Sequence, residues 1–171
     1  MDTGSQLLAV LQRTSAVLHQ AGVPFCLVGG LAVAIMAKPR ATEDVDIALA
    51  ADDAGRSRIA ALLRAQFAVI QDTTVIHLPN ATIWRVVVKP DPAVPEDAVV
   101  LDFLLADRPE VARAIERAVC VQVGAEQVPI ARADDLIALK KLSGRPQDLL
   151  DIQSLHDAES GDARCYGQQL H

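Results

Sequence analysis

The chain of 171 residues carries 16 Lys and Arg against 22 Asp and Glu, a net charge of -6, with 51% hydrophobic residues and 3% aromatics. That length, with ample Leu, Val, Ile and Ala, suits a single globular domain and excludes a disordered or repetitive chain. The acidic surplus and the single Trp argue against a general nucleic-acid clamp, which needs a basic surface and stacking platforms, but leave room for a local basic groove.

Leu7, Leu8, Val10, Leu11, Ala16, Val17 and Leu18 recur near helical spacing, predicting an amphipathic helix from about Ser5 to Gln20 that Gly22 and Pro24 terminate. The longest apolar stretch, Ala21 to Ala37, is interrupted by Gly22, Pro24, Gly29 and Gly30, so it reads as a strand at Phe25 to Val28 followed by a buried helix at Leu31 to Met36 and not as a membrane span. Val45, Ile47 and Leu49 alternate with Asp44, Asp46 and Ala48, the period of a strand with one apolar face, which sends both aspartates to the same side. Asp52 to Phe67 reads as a helix. Thr74 to Leu78, Thr82 to Val88 and Ala98 to Leu105 then read as strands separated by Pro79-Asn80 and by the loop from Pro90 to Pro95. Asp107 to Ala118 is a further helix, and Val119 to Val123 with Gln127 to Ile130 form a hairpin about Gly124. Two helices follow, from Ala133 to Ser143, closed by Gly144, and from Pro146 to about Asp157, an order matching the preference for Gly after a helix and Pro at its first turn. The expectation is one domain over residues 1–158, with a core at about 22–131, C-terminal helices at about 133–157 and a flexible tail at 159–171.

The first residues, Met1 to Gln6, include Asp2 and no basic segment, so no secretory signal is expected. Cys26, Cys120 and Cys165 are widely spaced and odd in number, which fits reduced thiols in the cytoplasm better than a disulfide framework or a zinc site. The histidines, His19, His77, His156 and His171, lack ligand spacing.

Three features carry chemistry. Gly29-Gly30 lies between a strand and a helix, where backbone N–H groups can approach an anion and the helix dipole favours it; the same pair also serves simple packing. Asp44 and Asp46 project from one strand face, either as a solvated edge or as a ligand pair. Asp102 sits in Val99-Val-Leu-Asp-Phe-Leu-Leu, flanked by three apolar residues on each side, a costly position unless something such as a divalent cation compensates the charge.

Taken together, Leu27-Val-Gly-Gly-Leu-Ala-Val-Ala and Pro39-Arg-Ala-Thr-Glu-Asp-Val-Asp-Ile resemble the signature of the polymerase-beta-like nucleotidyltransferase superfamily. They are most similar to the small bacterial branch that contains AbiEii-type abortive-infection toxins and MenT-like toxins. A second signature of that branch, a helix carrying a lysine and then Arg-x-x-Asp, is similar to Asp135-Leu-Ile-Ala-Leu-Lys-Lys-Leu and Arg145-Pro-Gln-Asp-Leu-Leu-Asp-Ile. The resemblance spans roughly Phe25 to Leu155. It departs at Gly30, where many members have Ser, so that phosphate binding would rest on backbone groups without a hydroxyl donor.

The resemblance implies an α+β fold with a mixed, largely antiparallel sheet flanked by helices, and an enzyme that moves a nucleoside monophosphate from an NTP to a hydroxyl with release of pyrophosphate. Two Mg²⁺ ions, or Mn²⁺, about 4 Å apart would serve that chemistry. By the family pattern Asp44 and Asp46 would hold the nucleotide metal and share the second, while Asp102 would bind the second. Gly29 and Gly30 would cradle phosphates, and Arg40, Lys140 and Asp148 complete the nucleotide-binding set. Each of these last three also has a structural reading: Arg40 paired with Glu43, Lys140 solvated beside Lys141, and Asp148, like Asp151, favoured by a helix dipole. Arg145 offers the same choice as Arg40, and Thr42 suits a backbone hydrogen bond beside the Asp44 strand. The implied acceptors are a tRNA 3′ end or a protein side chain, with an antitoxin protein as partner. An antibiotic adenylyltransferase of the lincosamide or aminoglycoside type, and a catalytically silent binding subunit, are the competing readings. A tRNA-acting enzyme would need a basic path, for which Arg56, Arg58, Arg64, Arg85 and Lys89 are the candidates.

Overall fold

In a computed structural model the described residues are 3–94 and 97–161. The chain runs α1 (Thr3–Ala21), β1 (Phe25–Val28), α2 (Gly29–Met36), β2 (Asp44–Leu49), α3 (Asp53–Gln66), β3 (Ala68–Asp72), β4 (Ile76–Leu78), β5 (Ala81–Lys89) and β6 (Val99–Leu105). It continues with α4 (Pro109–Glu116), β7 (Val119–Val123), β8 (Glu126–Ile130), α5 (Ala133–Ser143) and α6 (Pro146–Gly161). Eight strands form one sheet in the order β3-β5-β6-β2-β1-β8-β7, with β4 also paired to β5. The β2–β6 and β1–β8 pairs are parallel and the others antiparallel. This is the mixed, mostly antiparallel α+β arrangement that the sequence implies.

The elements follow local chemistry. Asp52 caps α3 by accepting the Gly55 N–H at 2.7 Å, satisfying a donor that the first helical turn leaves unpaired. Gly144, at φ +66°, ends α5 in the left-handed conformation, and Pro146 opens α6. Strand alternation divides the sheet: Val45, Ile47, Leu101, Phe103, Trp84, Val86 and Val88 are buried, and the stacked rings of Trp84 and Phe103, 4.9 Å apart, sit in register across β5 and β6. These residues share the face opposite to Asp44 and Asp46. Helix α1 packs on α3, β2 and β8; α4 packs on β1, β2 and α5; α2 packs on β1, β2, α5 and α6. Arg113 of α4 and Arg117, just after its end, hold the buried Asp135 of α5 at 2.8 and 3.2 Å, fixing the helix that carries Lys140.

Several limits differ from the sequence reading. Strand β3 lies in a stretch to which the sequence reading assigns no element; its half-exposed side chains give no alternation, and it exists because the distal part of β5 offers an unpaired edge, which β3 meets through a bulge between Val69 and Gln71. Strand β4 begins at Ile76 and not at Thr74. Helix α6 continues to Gly161, so the first residues of the expected tail are helical; residues 162–171, with Cys165 and His171, lie outside the described set. Cys26 is buried and Cys120 exposed, and both are free thiols.

Candidate active site

The site is built by register. Val28 of β1 lies opposite Asp46 of β2, Asp46 opposite Asp102 of β6, and Asp102 opposite Arg85 of β5. One transverse row of four strands therefore brings the end of the Gly-Gly turn, two carboxylates and a guanidinium to the same face, because side chains at paired positions share a side of the sheet. Asp44, two residues before Asp46, joins that face. Gly29 has φ +69°, and a Cβ there would overlap the Asp46 carboxylate; this backbone conformation and this close approach are both open to glycine. The turn and the aspartate strand thus meet without an intervening side chain.

The charges of this face are poorly compensated. Burial, followed by the charges of Asp102 and Asp44, pushes the Asp46 carboxyl up to about 6. Asp44 is raised in the same direction, by burial and by Asp102. Asp102 is different: Arg85 donates from Nε to Oδ1 and from Nη2 to Oδ2, both at 2.7 Å, a bidentate bridge. Among the described residues no three carboxylate, histidine or cysteine side chains already converge on a point that would hold a metal ion. The donor chemistry still fits a hard divalent cation at Asp44 and Asp46: two oxygen-donor groups on one strand face, each pushed toward its neutral form by its neighbours, are relieved by a dication. Asp102, on the same row, is engaged by Arg85.

Beside this face lies a second cluster. Lys140 is 6% exposed and its Nζ donates to Asp148 at 3.3 Å and to Asp151 at 2.6 Å; the two aspartates are 1% and 2% exposed. Asp148 also accepts the Arg145 backbone N–H at 2.9 Å and its Nε at 3.2 Å, closing the turn between α5 and α6 in the manner of a capping box. Asp151 accepts from Arg40 Nη2 at 3.2 Å, within an ion pair that brings Arg40 Nε to 3.0 Å. Arg40 therefore pairs with Asp151 and not with Glu43, and Lys140 is a buried cation and not a solvated one. A Cβ at Gly30 would overlap Arg40 Nη2 and stand 2.9 Å from Thr42 Oγ. A side chain at position 30 would therefore have to displace the tip of Arg40. Thr42 Oγ itself lies 3.5 Å from the Asp44 carbonyl. The second cluster consequently pins the Gly-Gly helix and the Asp44 strand to α5 and α6.

A cavity of about 520 Å³ opens over both clusters. Asp46, Asp102, Arg85, Lys140, Arg145 and Asp148 line its polar side, with Gly29 at the base. Its other side is aliphatic, formed by residues such as Leu78, Ile83, Leu104, Leu136 and Leu139, and among the described residues no aromatic ring lines it. The Arg145 side chain, 74% exposed, stands at the mouth. Arg85 and Asp151 are the components that sequence reasoning underrated. Arg85 appeared there only as part of a basic path, yet a lone arginine among Ile83, Trp84, Val86 and Val87 is the same anomaly as Asp102 among its own apolar neighbours. The remaining path is not assembled. Arg56 pairs with Asp53 and Arg64 with Asp72, both at 2.6 Å, and of the five basic residues only Arg85 lines the cavity.

Among the described residues no helix is long and apolar enough to cross a membrane. A search of curated proteins gives no match. Several solved structures share the fold. An antigenic nucleotidyltransferase-like protein from Paracoccidioides brasiliensis superposes with a TM-score of 0.61 at 20% identity, covering 88% of this chain and 75% of that one. ANT(2")-Ia in complex with adenylyl-2"-tobramycin gives 0.55 at 10% identity, covering 92% and 91%. The lincosamide antibiotic adenylyltransferase LnuA, lincomycin-bound, gives 0.52 at 16% identity, covering 90% and 96%. Identities this low establish the fold alone. The family model described as nucleotidyl transferase AbiEii toxin, Type IV TA system, matches residues 10–166. The catalytic-strand pattern, the glycine turn and the C-terminal lysine helix all fall within that match, and the chain belongs to the AbiEii family of nucleotidyltransferase toxins.

Proposed function

We propose that this nucleotidyltransferase is metal-dependent, transfers a nucleoside monophosphate from an NTP to a hydroxyl acceptor, and acts in the cytoplasm as the toxin of a toxin–antitoxin pair. The observation that carries the reading is the transverse row of Val28, Asp46 and Asp102, with Gly29 against Asp46 and Asp44 beside it, opening on a cavity whose cations are Arg85, Lys140 and Arg145. Asp44 and Asp46 would hold a divalent cation, with Asp102 as the further ligand. Bound there, the cation supplies charge neutralisation at the transferred phosphoryl group and lowers the pKa of the acceptor hydroxyl. The protein's own part is largely positioning, since phosphoryl transfer needs little covalent chemistry from side chains. Gly29 and Gly30 present the N-terminus of α2 to the phosphates, and Arg145, paired with Asp148 through Nε but largely exposed at the mouth, would meet the chain of phosphates from the solvent side. Arg40 and Asp148 contribute by holding the turn and the lysine helix in place, and Lys140 supplies a fixed positive charge within the cavity wall.

The acceptor is proposed as a hydroxyl presented at an end, such as a tRNA 3′ end or a protein side chain. Neutralisation of Arg56 and Arg64 by their own acidic partners disfavours a long basic track, and an RNA terminus needs only local contacts. The cavity lining among the described residues is aliphatic and polar, so the proposed contacts to an acceptor are charge and apolar packing. The test is transfer of label from α-labelled NTP, with Mg²⁺ present, to tRNA, to protein or to a small hydroxyl compound. Asp44→Ala and Asp46→Ala should each reduce transfer by about 1000-fold or more, on the order of 4 kcal/mol of transition-state stabilisation, while the circular dichroism spectrum stays native. A fully active Asp46→Ala protein would sink the assignment; label appearing only in aminoglycosides or lincosamides would move the acceptor to antibiotics.

A further inference from the structure

We propose that Arg85 is a displaceable counter-ion, which occupies Asp102 in the resting enzyme and must leave before that carboxylate can join Asp44 and Asp46 around a cation. The inference rests on the metal-dependent reading above and concerns a positioning residue that acts through Asp102.

The geometry of the bridge is the starting point. Both Asp102 oxygens face Arg85 nitrogens at 2.7 Å, so the strongest acceptor directions of the carboxylate are already filled. The two partners are unequally held. Asp102 stands on a strand bonded on both sides, to β2 and β5, and its side chain is 11% exposed; the Arg85 side chain is 44% exposed and lies over the cavity. Leaving a buried charge alone is costly, so the bridge holds at rest. The Arg85 side chain, nearly half exposed, has an open path from it into solvent. Asp102 has no such freedom. Across the row, Asp46 faces Asp102 in strand register, and among the described residues neither Asp44 nor Asp46 forms an ion pair, so the cation-attracting pair is ready while the third member is occupied.

Exchange of Arg85 for a dication keeps Asp102 compensated throughout, so the carboxylate is never left buried and unpaired. It also releases a guanidinium within the cavity that a phosphate-bearing substrate would enter. The bridge therefore couples cation arrival to a change in the positive charge lining that cavity.

The test is nucleotide-free Mn²⁺ binding to the full chain, read by electron paramagnetic resonance of the free ion. Arg85→Gln should bind Mn²⁺ about tenfold more tightly than wild type, a difference of about 1.4 kcal/mol, with Arg85→Lys between the two. The gain should vanish in Arg85→Gln combined with Asp102→Asn. Unchanged or weaker binding by Arg85→Gln overturns the proposal, and so does a gain that persists without the Asp102 carboxylate, which would make it a general effect of removed charge. Should Arg85→Gln fail to fold, Arg85→Lys carries the same comparison. If wild type binds Mn²⁺ through Asp46 and the Arg85 variants do not differ from it, only the counter-ion role falls. If folded wild type and both variants bind none, the metal-dependent reading falls with it.

Discussion

Two acidic groups stand at neighbouring points of this molecule, and they are handled in opposite ways. Asp148 and Asp151 are more deeply buried than Asp44 and Asp46, yet they are fully compensated. Burial alone would raise Asp148, but the Arg145 backbone and side chain, the Ser143 hydroxyl and Lys140 together hold it below the ordinary carboxylate range. Asp46 lacks such partners and is raised to about 6. Solvent accessibility therefore does not set the charge balance of a carboxylate; what differs is how much of the cost of charging has been met by the protein itself. The buried cluster ties the helices together, and the undercompensated face is the part that the proposed cation would occupy.

The sharpest way to break this comparison is at Lys140. Removing one partner of a buried network leaves the others charged and unpaired, so Lys140→Met should destabilise the fold by about 3–5 kcal/mol, measured by urea unfolding. A loss of activity in that variant would then report folding before catalysis. A Lys140→Met protein of wild-type stability would show that the cluster does not hold the frame.

The second comparison is through pH. Because the folded Asp46 carboxyl titrates at about 6 against an ordinary 3.8, the folded state binds this proton more tightly than the unfolded chain. Its contribution is most favourable below the unfolded value, declines as pH rises toward 6 and levels off above it. Asp46→Asn removes this term, so the variant should exceed wild type in stability by on the order of 3 kcal/mol at pH 7.5, the gap closing near pH 4. Mg²⁺ should narrow the gap from the wild-type side. A variant less stable than wild type at pH 7.5 would mean that Asp46 is already compensated.

The smallest effect is expected where the two regions touch. Gly30→Ser must displace the tip of Arg40 and loosen its contact with Asp151, at about 1 kcal/mol, seen as a lower melting temperature. A neutral result would show that Arg40 yields freely and that the turn is not tied to α6 through it.

Much of the frame was legible before the fold was known. The limits of β1 and β2, the hairpin about Gly124 and the break between α5 and α6 follow from apolar period and from Gly and Pro, all of which act within a few residues. Asp102 announced itself by its apolar neighbours. The edge strand β3 did not, because its existence depends on a partner strand and not on its own pattern.

The sequence by itself determined the kinds of element, the placing of Asp44 and Asp46 on one face, and the family, since these rest on local spacing and motif order. Tertiary structure alone decided which charges meet. The register of β5 on β6 chose Arg85, 17 residues away, as the partner of Asp102, and the packing of α5 on α6 turned Lys140 inward to Asp148 and Asp151. A charged side chain carries no mark of its eventual neighbour; long-range pairing selects that neighbour, and with it whether the charge is spent on the frame or left open to a ligand.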